Sequence, residues 1–204
     1  MARQAAVACV LAGLAWLALV PATALARSDG LSYGGYFRLA ALPLALFALA
    51  WYLVGRVWRP ESMRGRTGWT VILAGFVLAC AGTTIEFWGS FLLDEPTSEQ
   101  VSGTGEDAWW GSDVGWALYV LGFVCLLVGG PTAAVALRRT SRLPFWALAL
   151  VCLVGIGALL GNVLREARLT AALVGLGLFG LGWIWLGVRL WRDGGRLLKR
   201  PQAS

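Results

Sequence analysis

The chain has 204 residues, 58% of them hydrophobic, with 17 basic and 11 acidic side chains, a net charge of +6 and no histidine. Charged residues make up 14%, against about 25% in ordinary soluble domains, and the mean hydropathy of +0.70 exceeds what a soluble core of this size requires. The missing histidine excludes bis-histidine haem, His-ligated zinc or iron, and every Ser-His or Cys-His nucleophile pair.

A bilayer-spanning helix needs about 20 mostly apolar residues, each rising about 1.5 Å through a core of about 30 Å. Six blocks meet that condition, at about 5–26, 39–58, 69–93, 114–137, 143–164 and 169–191. None alternates with period two as barrel strands would. The fold class expected is therefore all-α, a polytopic membrane protein forming one compact six-helix bundle over residues 1–204.

The first block carries an ambiguity. Arg3, an apolar stretch and Ala24-Leu25-Ala26 before Arg27 have the layout of a cleavable signal peptide. The block is also long enough to span, and its retention as a first helix is expected; cleavage would leave five spans. Pro21 and Pro43 fall towards the outer ends of the first two blocks.

Glu86 in the third block is the most informative residue. It lies roughly 10 Å below the outer boundary at about 1.5 Å per residue, where an ionised carboxylate facing lipid is costly. Ala79, Gly82, Thr83, Glu86, Gly89 and Ser90 share a small, polar face at helical spacing. Gly155, Ala158, Asn162 and Arg165 form a comparable stripe in the fifth block, and Arg38 opens the second on the same side. An outer-leaflet polar cluster of Glu86, Thr83, Arg38, Asn162 and Arg165 is expected, with Glu86 paired to Arg165 or Arg38. A buried pair fixing helix register is favoured over a solute or proton site.

Between the third and fourth blocks, residues 94–113 carry Asp94, Glu95, Glu99, Glu106, Asp107 and Asp113 and no basic residue. This outer loop reads as a solvated connector, since its acids lack the regular spacing of a calcium loop. The fourth block contains Gly129-Gly130-Pro131, where a helix kink is expected. In the sixth, Gly175-Leu176-Gly177-Leu178-Phe179-Gly180 spells a dinucleotide fingerprint but lacks the preceding strand that the motif needs. Ala171, Gly175 and Gly182, with Gly177 and Gly180 nearby, read instead as a packing face for the fifth helix.

The tail 192–204 is basic. Arg189, Arg192, Arg196, Lys199 and Arg200 are expected to contact lipid headgroups. Thirteen Lys and Arg fall on one side of the alternating blocks and four on the other. The positive-inside rule then puts both termini in the cytoplasm, with the first block retained. The expected location is the plasma membrane of a bacterium, and the Arg-over-Lys and Ala/Gly/Leu bias is consistent with a GC-rich genome.

Cys9, Cys80, Cys125 and Cys152 lie in apolar blocks with no C-x-x-C, and read as small buried hydrophobes. Of twelve tryptophans, Trp58, Trp69, Trp88, Trp109, Trp110, Trp116, Trp146 and Trp191 fall near predicted boundaries, and Trp16, Trp51, Trp183 and Trp185 lie deeper. No catalytic constellation, metal-ligand cluster or cofactor motif is present, and no nucleic-acid partner is expected. The expected role is an accessory, scaffold or assembly subunit, with the lipid bilayer and other membrane subunits or a second copy as partners. The alternative is a small-solute binding or transport component built around Glu86.

Overall fold

The computed structural model describes residues 1–22, 33–58, 62–96, 101, 109–140 and 168–193. All regular structure among them is helical: α1 (Ala2–Leu17), α2 (Tyr33–Trp58), α3 (Met63–Thr83), a π turn (Thr84–Gly89), α4 (Ser90–Leu93), α5 (Trp110–Thr140) and α6 (Arg168–Asp193). Four helical stretches are long and apolar enough to cross a membrane: Ala2–Ala22, Phe37–Val57, Met63–Leu93 and Trp110–Ala133. The predicted fifth block, with Asn162 and Arg165, lies outside the described residues.

Helix ends depart from the apolar blocks for local reasons. The third helix begins at Met63, six residues before its apolar block, because Ser62 caps it: the Ser62 hydroxyl accepts from the Gly65 N–H at 3.1 Å. α5 begins at Trp110, inside the loop predicted for 94–113, and carries Asp113 in its first turn. A negative side chain there complements the helix dipole. Both α2 and α5 run on through their internal prolines, Pro43 and Pro131.

Six buried aromatic side chains from four helices form the centre: Trp16 of α1, Phe47 and Trp51 of α2, Phe76 of α3, and Phe179 and Trp183 of α6. Phe47 is the hub, with ring centroids 4.9 Å from Phe179 and Trp183 and 5.4 Å from Trp16 and Phe76. Of the four deep tryptophans of the sequence, Trp16, Trp51 and Trp183 are thus buried, and Trp185 packs partly buried against this core. Edge-to-face and tilted pairs of this kind add about 0.5–1.5 kcal/mol each beyond their area.

Two antiparallel crossings let backbones touch. In the first, α1 meets α6: a Cβ on Gly13 would lie 2.6 Å from the Gly180 carbonyl oxygen, and one on Gly187 would lie 2.6 Å from that of Ala6. The glycine face of α6 therefore packs on α1 through Gly180 and Gly187, while Gly177, in the expected packing stretch, has nothing within 4 Å of its Cβ position. The second crossing joins α3 to α5. Gly68, Gly75 and Gly82 recur every seven residues on α3, and Gly115, Gly122 and Gly129 do so on α5. Gly68 abuts Ala133, Gly75 abuts Gly122 and Gly82 abuts Gly115, so closely that a Cβ on any of these three α3 glycines would lie within 2.8 Å of the neighbour's backbone. A seven-residue repeat keeps one seam facing its partner along the crossing, and missing side chains supply the close approach that stabilises helices in lipid.

These crossings also sort the charges. Residue numbers rise together in the Phe47–Phe179 and Trp51–Trp183 contacts, so α2 runs parallel to α6, whereas α1 and α3 run antiparallel to them. One end of the bundle collects Arg3, Arg56, Arg64, Arg66, Arg189 and Arg192. The other holds Arg38, Asp94, Glu95 and Asp113.

Candidate functional site

The buried polar and charged side chains among the described residues are Thr83, Glu86, Ser90 and Ser112. All four sit where the C-terminal end of α3, with the π turn and α4, crosses the start of α5. Thr83 and Ser112 are fully buried, and Glu86 is 6% exposed.

The backbone explains how Glu86 comes to be there. Just before the ladder widens, the hydroxyls of Thr83 and Thr84 donate to the carbonyls of Ala79 and Cys80, each at 2.8 Å. Such back-bonding perturbs a helix locally, and the six residues Thr84–Gly89 form the π turn. Three consecutive side chains of that turn then engage three different surroundings. Glu86 points to α5, where the Ser112 hydroxyl donates to its Oε1 at 3.5 Å. The Phe87 ring stacks on Phe37 of α2, with centroids 4.7 Å apart, and Phe37 meets Tyr119 of α5 edge-on at 5.9 Å. The Trp88 indole N–H reaches the Arg38 carbonyl at 3.3 Å.

The surroundings of Glu86 are tight. A Cβ on Gly115 would come within 2.6 Å of the Glu86 Cβ and 2.8 Å of its backbone nitrogen. The base of the Glu86 side chain is thus set against the backbone of α5. Above it, Ser90 donates to the Glu95 carbonyl at 2.5 Å, and Asp94 closes α4 in the left-handed conformation at φ 56°. The Trp109 ring folds back over Gly89, and the Trp109 N–H is held by the Pro96 carbonyl at 3.1 Å.

Of the residues expected to cluster, Thr83 and Glu86 share the buried face of α3. The Arg38 guanidinium instead lies over the Phe91 ring, 4.2 Å from its centroid. Asn162 and Arg165 lie outside the described residues. At the basic end, Arg189 lies over Trp185 at 5.6 Å and Arg192 is exposed; Arg196, Lys199 and Arg200 lie outside the described residues. Two features go beyond the sequence expectations. Ser112 belongs to the cluster although it falls in the predicted loop, and the heptad glycines build the seam, their seven-residue spacing being the available signal.

Chemically, the cluster offers one carboxylate and three hydroxyls. Among the described residues no three Cys, Asp or Glu side chains converge as a metal site requires. Comparison with protein-family models, curated proteins and solved structures finds no match. The site's own geometry is therefore the ground for a functional reading.

Proposed function

We infer that this chain is a multi-pass protein of a plasma membrane, a bundle of six spans with both termini in the cytoplasm. It serves a membrane complex as a non-catalytic accessory, scaffold or assembly subunit. The four long apolar helices support the membrane location. The collection of arginines at one end supports the orientation, because basic residues are retained on the cytoplasmic side. Burial of Ala5, Cys9, Ala12 and Trp16 in the common core supports retention of the first segment as a helix of the bundle.

The observation that carries the non-catalytic reading is the closure of the Glu86 cluster. The backbone and Cβ of Glu86 abut Gly115 and its carboxylate is hydrogen-bonded by Ser112, a geometry suited to setting the register of α3 on α5. A buried polar contact of this sort specifies one alignment among many apolar ones. Co-purification of a stoichiometric membrane partner with the full chain tests the role. Repeated isolation of the chain alone from gently solubilised membranes would contradict it. A reporter fused after Ser204 and found outside the cell would contradict the orientation.

A second reading has one observation in its favour. π turns recur at functional sites, and this one presents Glu86. In that reading the cluster binds a small solute from the outer side. Glu86→Gln separates the two: lowered stability in detergent supports the register role, whereas unchanged melting with loss of a solute-induced rise in melting temperature supports binding.

A further inference from the structure

We propose that the groove between α1 and α6 at the basic end of the bundle is a binding site for one anionic phospholipid. This rests on the reading of the chain as a membrane protein. The groove has a volume of about 350 Å³, at the lower end of the roughly 300–1,000 Å³ typical of small-molecule sites. Its walls are Val7 and Leu11 of α1 and Val188 and Trp191 of α6, all exposed on the outside of the bundle. Its floor is the crossing at Gly187, where the two backbones touch.

The two ends of the groove differ in chemistry. Along its length it is apolar, matching an acyl chain. At its mouth Arg192 contributes to the lining, and the Arg3 guanidinium lies 5.6 Å from the centre of the Trp191 ring. Two guanidinium groups, one from each helix, thus flank an indole at the depth where a headgroup would sit. Guanidinium suits phosphate because its planar donors bind two oxygens together, and basic pockets between membrane helices on the cytoplasmic side take anionic headgroups. An aliphatic slot capped by positive charge complements an amphiphile with a negative head. A zwitterionic lipid would fill the slot equally well and gain less at the mouth.

The test uses the full chain in mild detergent, with bound lipid counted by native mass spectrometry. Phosphatidylglycerol and phosphatidylcholine of identical acyl chains are added in turn. The wild type is expected to retain phosphatidylglycerol about thirtyfold better, the ratio for about 1 kcal/mol from each of Arg3 and Arg192 at a membrane surface. Arg192→Gln should remove most of that preference and leave phosphatidylcholine retention unchanged. Val188→Trp, which fills the slot from its outer wall, should lower retention of both lipids. Arg64→Gln, at the same end of the bundle on α3, should change neither. Equal retention of the two lipids by the wild type overturns the proposal. So does an Arg64→Gln loss as large as that of Arg192→Gln, or full retention by a Val188→Trp variant of normal melting temperature. A chain that stays monodisperse without any amphiphile would instead overturn the membrane reading beneath it.

Discussion

The indole N–H of Trp51 donates to the carbonyl of Trp69 at 3.0 Å, and the indole N–H of Trp69 donates to the carbonyl of Trp51 at 3.3 Å. This reciprocal pair fastens α2 to α3 near the basic end, and it satisfies two part-buried donors. Trp69→Phe removes one bond and is expected to lower stability by about 0.5–1.5 kcal/mol. Gly55→Ala acts on the same joint from the other side, because a Cβ there would overlap the Trp69 indole. Overpacking of this kind costs about 1–3 kcal/mol. Reversible unfolding in mixed detergent micelles measures both, and unchanged midpoints would refute the pairing.

The α3–α5 seam predicts a sharp contrast between glycines. Gly82→Ala places a methyl group 2.5 Å from the Gly115 carbonyl and the Tyr119 nitrogen, with backbone on both sides and nowhere to move. A loss of about 1–3 kcal/mol is expected. Gly177→Ala meets open space, and should be neutral or gain up to about 1 kcal/mol from helix propensity. Melting temperatures of the two variants under one condition check the contrast.

Glu86 and Ser112 should be energetically coupled. In a double-mutant cycle with Glu86→Gln and Ser112→Ala, residues sharing a hydrogen bond show interaction energies of about 0.5–3 kcal/mol. Additive losses would mean that the 3.5 Å contact contributes nothing to the α3–α5 alignment.

Asp94 is the positive-φ residue other than glycine among the described residues, and it ends the helix that carries the cluster. Glycine is the preferred residue in that conformation. Asp94→Gly is expected to keep or raise the melting temperature, whereas Asp94→Val, β-branched in the left-handed region, should lower it. Equal behaviour of the two variants would count against this helix end.

Apolar runs of about 20 residues made the helices legible in the sequence, since only a helix satisfies its own backbone in lipid. The burial of Thr83 and Glu86 was legible from one helical face. The rest depended on information that a local pattern does not hold. The start of α3 is set by the Ser62 hydroxyl, a single polar atom outside the apolar block. Ser112 looked like part of a polar connector, because its membership of α5 depends on Trp109 being tied back to Pro96. Gly180 and Gly187 of α6 meet α1, far away in sequence, and a count of small residues names a face without naming its neighbour. Arg38 looked like a counter-ion by charge, while the nearby Phe91 ring offered its face to the guanidinium.

The Gly13–Gly180 and Ala6–Gly187 contacts tie the first described helix to the last. During synthesis, that side of α1 leaves the ribosome long before residues 168–193 do. Until then its contact face is uncovered by α6, and the central aromatic hub lacks Phe179 and Trp183. Closure of the bundle is therefore a late event in biogenesis, and a ribosome stalled before α6 should leave α1 open to protease and cross-linker.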